Sequence, residues 1–362
     1  MLITLLIFLA LLSLLVFVHE LGHFLVAKRT GVKVLEFAFG FKPRIWGKKI
    51  GETTYAINAI PLGGYVHMYG EDEKKEGNRA FNNKSPKQRL GILVAGATMN
   101  FILGWVVLIV LMITGFEPFF PGVANNPFIN STQSVKIVAV SSGSPAEQAG
   151  FKVGDRLIKV DGQPVATDSD FLSLVSARKG QSIEIIIENN GQRALTATPR
   201  INPPAGQGSL GVAIAAEGKV KSSVIAAPAA ALYETGRVIG LSAAGFGNFV
   251  KNLVIHQKVG DEVTGLIGVG QVTGIARQLG IDYLFQLLAV ISIGLGVVNL
   301  LPIIPLDGGH MAVIIFEGVT KKRLNDKQLN ILATAGLTIV VLLFIIVTAK
   351  DFVRFDILGR FF

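Results

Sequence analysis

The chain has 362 residues, of which 50% are hydrophobic and only 16% are charged, a composition typical of membrane proteins. The absence of cysteine excludes disulfides, thiol catalysis and cysteine-ligated metals, so His, Asp and Glu remain as the strong metal ligands. The net charge of +9 comes from basic residues that crowd the ends of apolar segments, with no aromatic-interleaved basic module, so we expect no nucleic-acid partner.

Four segments are long and apolar enough to cross a lipid bilayer. A helix needs about 20 mostly apolar residues to span roughly 30 Å of hydrocarbon. Residues 2–27, 90–115, 283–305 and 329–348 meet this requirement. The first segment lacks the basic start and the small-residue cleavage site of a signal peptide, so we predict four transmembrane helices.

The first apolar segment carries three ionisable side chains. His19 and His23 lie four residues apart, and Glu20 follows His19, in the pattern H-E-x-x-H. On a helix both imidazoles project from one face and can bind one Zn²⁺, while the carboxylate stays free to take a proton from water. The alternative is a histidine pair that hydrogen-bonds across a helical bundle, but Glu20 would then also need a partner in lipid.

The loop after this segment predicts a small β structure. Residues 32–70 alternate in polarity, contain glycine breaks and are rich in aromatic residues, which favours short strands and hairpins. Residues 28–89 contain thirteen Lys and Arg, and four more follow the third span at Lys321, Lys322, Arg323 and Lys327. The positive-inside rule therefore predicts that both loops are cytoplasmic, and that both termini and the stretch 116–282 lie outside.

Within the external stretch the composition changes twice. Residues 135–214 predict strands, turns and one short helix over residues 146–150. Residues 225–255 are apolar but interrupted by Glu234, Arg237 and glycines. We interpret this segment as an amphipathic helix at the membrane surface, with a shallow re-entrant segment as the alternative.

A candidate third metal ligand lies at the cytoplasmic end of the third span, in "GVVNLLPIIPLDGGH". Pro302 and Pro305 interrupt helical hydrogen bonding, and Gly308 and Gly309 free the backbone, so a turn can deliver the carboxylate of Asp307 to a metal. Taken alone, an aspartate between prolines and glycines more often marks a turn than a metal site. A catalytic zinc usually has three protein ligands, so the pairing with H-E-x-x-H favours the ligand.

With these motifs the chain resembles the site-2 protease family of intramembrane zinc metalloproteases, most closely the bacterial regulator-of-sigma-E protease type. "HELGH" corresponds to the family's HExxH motif, and "NLLPIIPLDGG" to its motif around the aspartate. The resemblance implies one Zn²⁺ bound by His19, His23 and Asp307, with Glu20 as general base. It also implies that Asn299 lies near the substrate or the developing oxyanion, although an Asn in a span can simply bridge helices.

The resemblance extends to the cytoplasmic loop. The family has a membrane re-entrant β-loop there, and "FGFKP" and "IPLGGYV" resemble it. This implies a substrate-binding role for Gly40, Phe41, Gly63 and Gly64, because a sheet edge can hold an unwound substrate by strand addition. The alternative is a surface hairpin that covers the cytoplasmic mouth of the site.

The external segment "GSPAEQAGFKVGDRLIKVDGQPV" resembles a PDZ domain of the circularly permuted bacterial form. By this resemblance Leu210, Gly211 and Val212 form the carboxylate-binding loop and the strand of a peptide groove. The alternative is a domain that binds no peptide and acts as a steric gate.

The expected fold is therefore a polytopic α-helical membrane protein with a cytoplasmic-side β-hairpin and an inserted extracytoplasmic PDZ domain. We expect a first membrane half at 1–115, the PDZ domain at 130–216, a membrane-surface linker at 217–282, and a second membrane half at 283–362 that carries the Asp307 motif in its first span. The resemblance implies a monomer in the bacterial cytoplasmic membrane, which cleaves single-pass membrane proteins such as anti-sigma factors or remnant signal peptides. The rival functions are an inert membrane scaffold and an ion or metal transporter.

Overall fold

The computed structural model describes residues 2–71, 75–119, 122–131, 134–189, 191–204, 207–255, 265–322 and 324–354. The chain divides into two compact units, one made of Met1–Leu108 with Thr235–Phe362 and the other of Ile109–Glu234. Each unit has its own cluster of buried hydrophobic residues.

The described residues form nine α-helices. In chain order they are α1 (Leu2–Arg29), α2 (Pro86–Thr114), α3 (Pro145–Ala149), α4 (Asp168–Ser176), α5 (Ala227–Ile255), α6 (Leu266–Leu279), α7 (Ile281–Asn299), α8 (Asp307–Thr320) and α9 (Asp326–Arg354). The strands are β1 (Val34–Ile50), β2 (Thr53–Met68), β3 (Asn130–Ser131), β4 (Ser134–Val140), β5 (Arg156–Val160), β6 (Gln163–Pro164), β7 (Ile183–Glu188), β8 (Gln192–Ala197), β9 (Val212–Glu217) and β10 (Val220–Lys221).

Four of the described helices are long and apolar enough to cross a membrane, namely α1, α2, α7 and most of α9. They coincide with the four predicted segments, but the third prediction was too long. Helix α7 ends at Asn299, and residues 300–306 form a turn before α8 begins. Pro302 and Pro305 cannot continue the helical hydrogen bonding, so the Asp307 motif lies after the third span and not within it.

The predicted linker contains more helix than expected. Helix α5 agrees with the helix predicted over residues 225–255, and α6 was not predicted. Residues 256–264, which belong to the same linker, lie outside the described residues. The location of α5 at the membrane surface stays a prediction.

Strands β1 and β2 form a long antiparallel hairpin that folds back on itself. Residues 53–57 pair with residues 36–39 on one side and with residues 46–50 on the other, while residues 64–68 pair with residues 34–39. The order across the sheet is therefore 46–50, 53–57, 34–39 and 64–68, which places residues 64–68 at an edge. This confirms the small β structure predicted for residues 32–70.

The far half of this hairpin exposes apolar side chains. Its large exposed hydrophobic residues are Phe41, Ile45, Trp46, Ile50, Ile57, Ile60 and Leu62. A concentration of exposed apolar side chains of this kind is typical of a site of contact with membrane or protein.

The second unit is built around an antiparallel sheet in the order β8-β7-β5-β4-β9, with β6 paired to β5. Its core contains Ile137, Leu157, Ile185 and Phe171, all buried. The prediction of one short helix here was wrong, since the described residues contain both α3 and α4. Thr167 and Asp170 form a reciprocal capping box at the start of α4, which is a signal present in the sequence.

We predict that Ile185→Ala lowers the free energy of unfolding of the second unit by about 2–5 kcal/mol, because the lost methyl groups leave a cavity in a packed core. Ile185 is 0% exposed. Denaturant unfolding of the full-length protein in detergent, followed by protease resistance of residues 134–217, measures this change.

The matched control is Ile201→Ala in the same unit, because Ile201 is 65% exposed. An exposed site should change stability by no more than about 0.5 kcal/mol. Equal losses in the two variants would contradict the assignment of the core.

Candidate active site

Three predicted ligand atoms converge at one point in the first unit. Asp307 Oδ2 lies 3.0 Å from His19 Nε2 and 3.3 Å from His23 Nε2. The two Nε2 atoms are 3.1 Å apart. The imidazoles are buried, with His19 7% and His23 5% exposed. Among the described residues this is the one group of His, Asp and Glu side chains close enough together to hold a metal ion.

The spacing of these atoms fits a zinc ion. A tetrahedral zinc with bonds of about 2.0–2.1 Å keeps its ligand atoms roughly 3.3 Å apart, close to the separations observed here. Asp307 Oδ2 is buried and accepts no hydrogen bond from the described residues. A buried carboxylate oxygen without a donor is costly, and a cation between the three atoms removes that cost.

Helix α2 holds the two histidines in place. His23 Nδ1 lies 2.8 Å from the carbonyl oxygen of Ile92, so it donates its proton there and leaves Nε2 free as a ligand. A Cβ atom at Gly96 would lie 2.5 Å from His23 Nε2 and 2.7 Å from His19 Nε2. A larger residue at position 96 would therefore occupy the space of the imidazoles.

Asp307 reaches the histidines because it starts a new helix directly after a tight turn. It is the first residue of α8. Gly308 and Gly309 are buried, and their Cα atoms pack on the backbone of residues 300–304, so any Cβ atom there would collide with main-chain atoms. The two glycines thus keep the turn closed beneath the carboxylate.

Glu20 lies beside the three predicted ligands and is not part of their group. Its Oε2 accepts a hydrogen bond of 3.1 Å from the backbone N–H of Val66, in the edge strand 64–68. Glu20 lines a cavity of about 310 Å³ together with the three ligands; the other lining residues are Tyr65, Val66, Met68, Glu71, Leu93, Asn299, Pro305 and Leu306. A cavity of this size admits water and part of a peptide chain.

The predicted β-loop residues lie near this cavity. Phe41 stacks on Tyr65, with ring centroids 6.4 Å apart, and Tyr65 lines the cavity. Burial raises the pKa of Tyr65, and the neighbouring Glu36 raises it further, so its phenol stays neutral. Gly40 and Gly63 adopt positive φ angles of 79° and 122°. A Cβ at Gly63 would lie 2.8 Å from Val16 in α1, and one at Gly64 would lie 2.6 Å from the carbonyl oxygen of Ala38.

Asn299 is placed at the site as predicted, at the end of α7. It is half-buried and lines the cavity, and its Nδ2 lies 3.4 Å from His19 Nδ1. Its position is compatible with a contact to substrate.

Leu210, Gly211 and Val212 lie in the second unit. Val212 begins β9, an edge strand whose partner among the described strands is β4. Gly211 has a φ of 78°, and its N–H donates to the carbonyl oxygen of Gly208 at 3.0 Å. The amide of Gly211 is therefore already engaged, and a bound carboxylate would compete with that turn.

Sequence reasoning missed three contributors to the site. Val66 donates its N–H to Glu20, Tyr65 lines the cavity, and Asn100 in α2 lies against His19 with Nδ2 3.2 Å from Nδ1. Asn100 could have been noticed in the sequence, because a polar side chain inside an apolar span costs free energy and often has a functional role. The contact through Val66 depends on a backbone atom, which no residue type reveals.

An H-E-x-x-H motif whose histidines are buried and meet an aspartate, in a chain with four helices long and apolar enough to span a membrane, is typical of a membrane zinc metalloprotease. The model for "Peptidase family M50" matches residues 7–343. The chain belongs to this family.

Individual relatives of the chain are also named as zinc metalloproteases. A protein of Clostridium acetobutylicum, named as a zinc metalloprotease, is 34% identical over 94% of this chain and 94% of its own length. Zinc metalloprotease RasP of Geobacillus kaustophilus is 28% identical over 94% of this chain and 96% of its own. Among solved structures, the PDZ domain of an SdrC-like protein from Listeria monocytogenes covers 22% of this chain and 85% of its own at 17% identity, with a TM-score of 0.20, too low to support a fold assignment.

We predict that His23→Ala and Asp307→Ala each reduce bound zinc from about one ion per chain to a small fraction of that, because two ligands cannot retain a site built for three. Metal analysis of the purified full-length variants by mass spectrometry measures this loss.

His67→Ala is the matched control, because His67 is an exposed histidine of the same unit outside the three-ligand group. It should retain zinc. Unchanged zinc in the His23 or Asp307 variant would remove that residue from the ligand set.

Proposed function

We propose that this chain is an intramembrane zinc endopeptidase that hydrolyses a peptide bond within or near the transmembrane segment of single-pass membrane proteins. The observation that carries the proposal is the convergence of His19, His23 and Asp307 next to Glu20, on a helix apolar enough to cross a bilayer. A purely structural zinc site needs no free carboxylate at its side.

The residues divide the chemistry among themselves. Zinc bound by the three ligands would activate water and polarise the scissile carbonyl. Glu20 accepts the proton of the attacking water and returns it to the leaving amine. Asn299 lines the cavity, and its amide would donate a hydrogen bond to the carbonyl oxygen as negative charge develops there.

The hairpin would bind the substrate in an extended form. A peptide bond within an α-helix is shielded, so a transmembrane substrate must unwind before cleavage. The edge strand 64–68 pairs with residues 34–39 on one side, and Val66 directs its N–H to Glu20 on the other. A chain that lies along this edge would place its backbone next to the general base by strand addition.

The distribution of charge supports a location in the bacterial cytoplasmic membrane with the active site toward the cytoplasm. The hairpin and the connector to α2 carry most of the thirteen basic residues of positions 28–89. The exposed apolar residues of the hairpin suit contact with the same membrane face. By family resemblance, the substrates are membrane-anchored anti-sigma factors or remnant signal peptides in regulated intramembrane proteolysis.

Residues 130–216 would act outside the membrane as a PDZ domain. The support is the antiparallel sheet with β9 at its edge and helix α4 close to β9, the two elements that would form the walls of a peptide groove. A peptide beside β9 would extend the sheet. The alternative is that the domain binds no peptide and acts as a steric gate, which excludes substrates with large outer domains by its bulk.

We predict that Glu20→Gln abolishes cleavage of a single-span substrate while zinc remains bound. The amide keeps the size of the side chain but cannot take the proton, and general base catalysis supplies about 10²–10⁴ of the rate. Co-expression with a substrate tagged at both ends, followed by immunoblotting, measures cleavage, and metal analysis of the same variant measures zinc.

Glu184→Gln makes the same chemical change at an exposed position in the second unit and should cleave normally. The hydrolase proposal fails if Glu20→Gln retains zinc and releases the wild-type product at the wild-type rate. That result would favour a membrane scaffold.

A photo-crosslinking amino acid in place of Phe41 should capture the substrate in the Glu20→Gln background, because Phe41 stacks on a residue that lines the cavity. The same amino acid in place of Phe344 is the control, since Phe344 is 54% exposed on α9. Crosslinked substrate is detected by immunoblotting. Equal yields at the two positions would contradict a substrate-binding role for the hairpin.

A further inference from the structure

Asn100 is a fully buried amide in the apolar helix α2. It is 0% exposed, its Nδ2 lies 3.2 Å from His19 Nδ1, and its Oδ1 has no hydrogen-bond partner among the described residues. An amide oxygen buried without a donor costs about 1–3 kcal/mol. A polar side chain at such a position therefore needs a reason.

The chemistry of His19 supplies that reason. Its Nε2 is the atom that meets Asp307 and His23, so Nε2 must present a lone pair to the metal. A neutral imidazole then carries its proton on Nδ1, and that N–H must donate to an acceptor. The two ends of a side-chain amide have nearly the same shape, and the hydrogen-bond partner decides which end faces it.

We propose that Asn100 Oδ1 accepts the Nδ1–H of His19 and that Asn100 is a positioning residue for this zinc ligand. Rotation of the Asn100 amide by 180° exchanges its nitrogen and oxygen. Oδ1, which otherwise has no donor in the part of the chain that the structure describes, then accepts the hydrogen bond of His19 Nδ1–H. The bond selects the tautomer of His19 that binds metal through Nε2 and fixes the plane of the ring. The inference rests on the ligand set of the proposed function.

The second histidine has the same arrangement. His23 Nδ1 lies 2.8 Å from the Ile92 carbonyl oxygen, so α2 faces both non-ligating nitrogens. As the numbering rises from 19 to 23 in α1, the partner falls from 100 to 92 in α2, so the two helices run antiparallel. Gly96 lies midway between the two partners and packs against both rings, as described above.

The backbone of Asn100 is held by a third helix. Ser292 in α7 is buried, and its hydroxyl donates to the Asn100 carbonyl oxygen at 2.7 Å. This contact engages the main chain only and leaves the side-chain amide for His19. A role as a simple bridge between helices would not place that amide on a metal ligand.

Asn299 is the competing partner for His19. Its Nδ2 lies 3.4 Å from Nδ1, farther than that of Asn100, and Asn299 is half-buried at the cavity wall. With Asn100 as the acceptor, the Asn299 amide is left to face the substrate. The two asparagines therefore have separable effects, one on zinc affinity and the other on turnover.

The experiment compares the zinc affinity of purified full-length variants in detergent by competition with a chromogenic chelator. Asn100→Leu keeps the branched shape of the side chain and removes the acceptor, and we expect about 10–100-fold weaker zinc binding. Asn100→Asp keeps an acceptor oxygen, and we expect zinc binding at or above the wild-type affinity. Asn299→Leu should retain zinc and lose turnover.

Wild-type zinc affinity in Asn100→Leu would overturn the inference, and so would weak binding in Asn299→Leu alone. If Asn100→Leu does not fold, Asn100→Asp decides by itself: a residue that donates to Nδ1 could not be replaced by a carboxylate, so a loss of more than about tenfold would overturn the proposal. His19→Ala distinguishes the failure of the zinc site from the failure of the positioning role. If His19→Ala loses zinc but folded Asn100→Leu retains it, only the positioning role of Asn100 is refuted.

Discussion

The structure of the first unit depends on one constraint: two imidazoles are buried in a segment that must also be apolar enough to cross a bilayer, and a carboxylate from the start of α8 lies against them. Each polar atom left without a partner there would cost several kcal/mol. The partners must therefore come from within the protein. A metal ion would satisfy His19 Nε2, His23 Nε2 and Asp307 Oδ2, and α2 faces the two remaining ring nitrogens.

Close packing is the condition for this arrangement. The carbonyl oxygen of Ile92 can reach His23 only because α1 and α2 approach each other through glycine. Cβ atoms at Gly22 and Gly96 would overlap the backbone of Ala95 and the imidazoles, respectively. The turn 300–306 follows the same rule, since Gly308 and Gly309 allow it to fold onto α8. Small residues here determine where charged groups can meet, in the way that they bring membrane helices together elsewhere.

The meeting of His19, His23 and Asp307 could be predicted from the sequence because each of the two motifs that supply them is local. H-E-x-x-H has meaning only on a helix, and an Asp after prolines and before glycines has meaning only in a turn. The four spans were visible for a similar reason, since hydropathy is summed along the chain. The end of α7 was misplaced because residues 300–306 are as apolar as the helix before them, and hydropathy does not register where hydrogen bonding stops.

The contacts of Asn100 and Val66 could not be predicted in this way. Asn100 meets His19 only if α2 lies antiparallel to α1 in one register, and that register is set by tertiary packing. The pairing of residues 64–68 with residues 34–39 depends on a chain reversal within β2 that places residues 53–57 on the opposite side of residues 36–39. Neither arrangement leaves a periodic pattern in the sequence.

The geometry of α1 explains how one helical turn can serve both metal and substrate. At 100° per residue, His19 and His23 differ by about 40° around the axis, while Glu20 is rotated by about 60–100° from them. The histidines therefore face Asp307 and α2, whereas Glu20 faces the edge strand and accepts the N–H of Val66. In the proposed function, an extended peptide that reaches this edge would meet the base on one side and the three predicted ligands on the other. Proton transfer and carbonyl polarisation would then act on the same peptide bond from two faces of one helical turn.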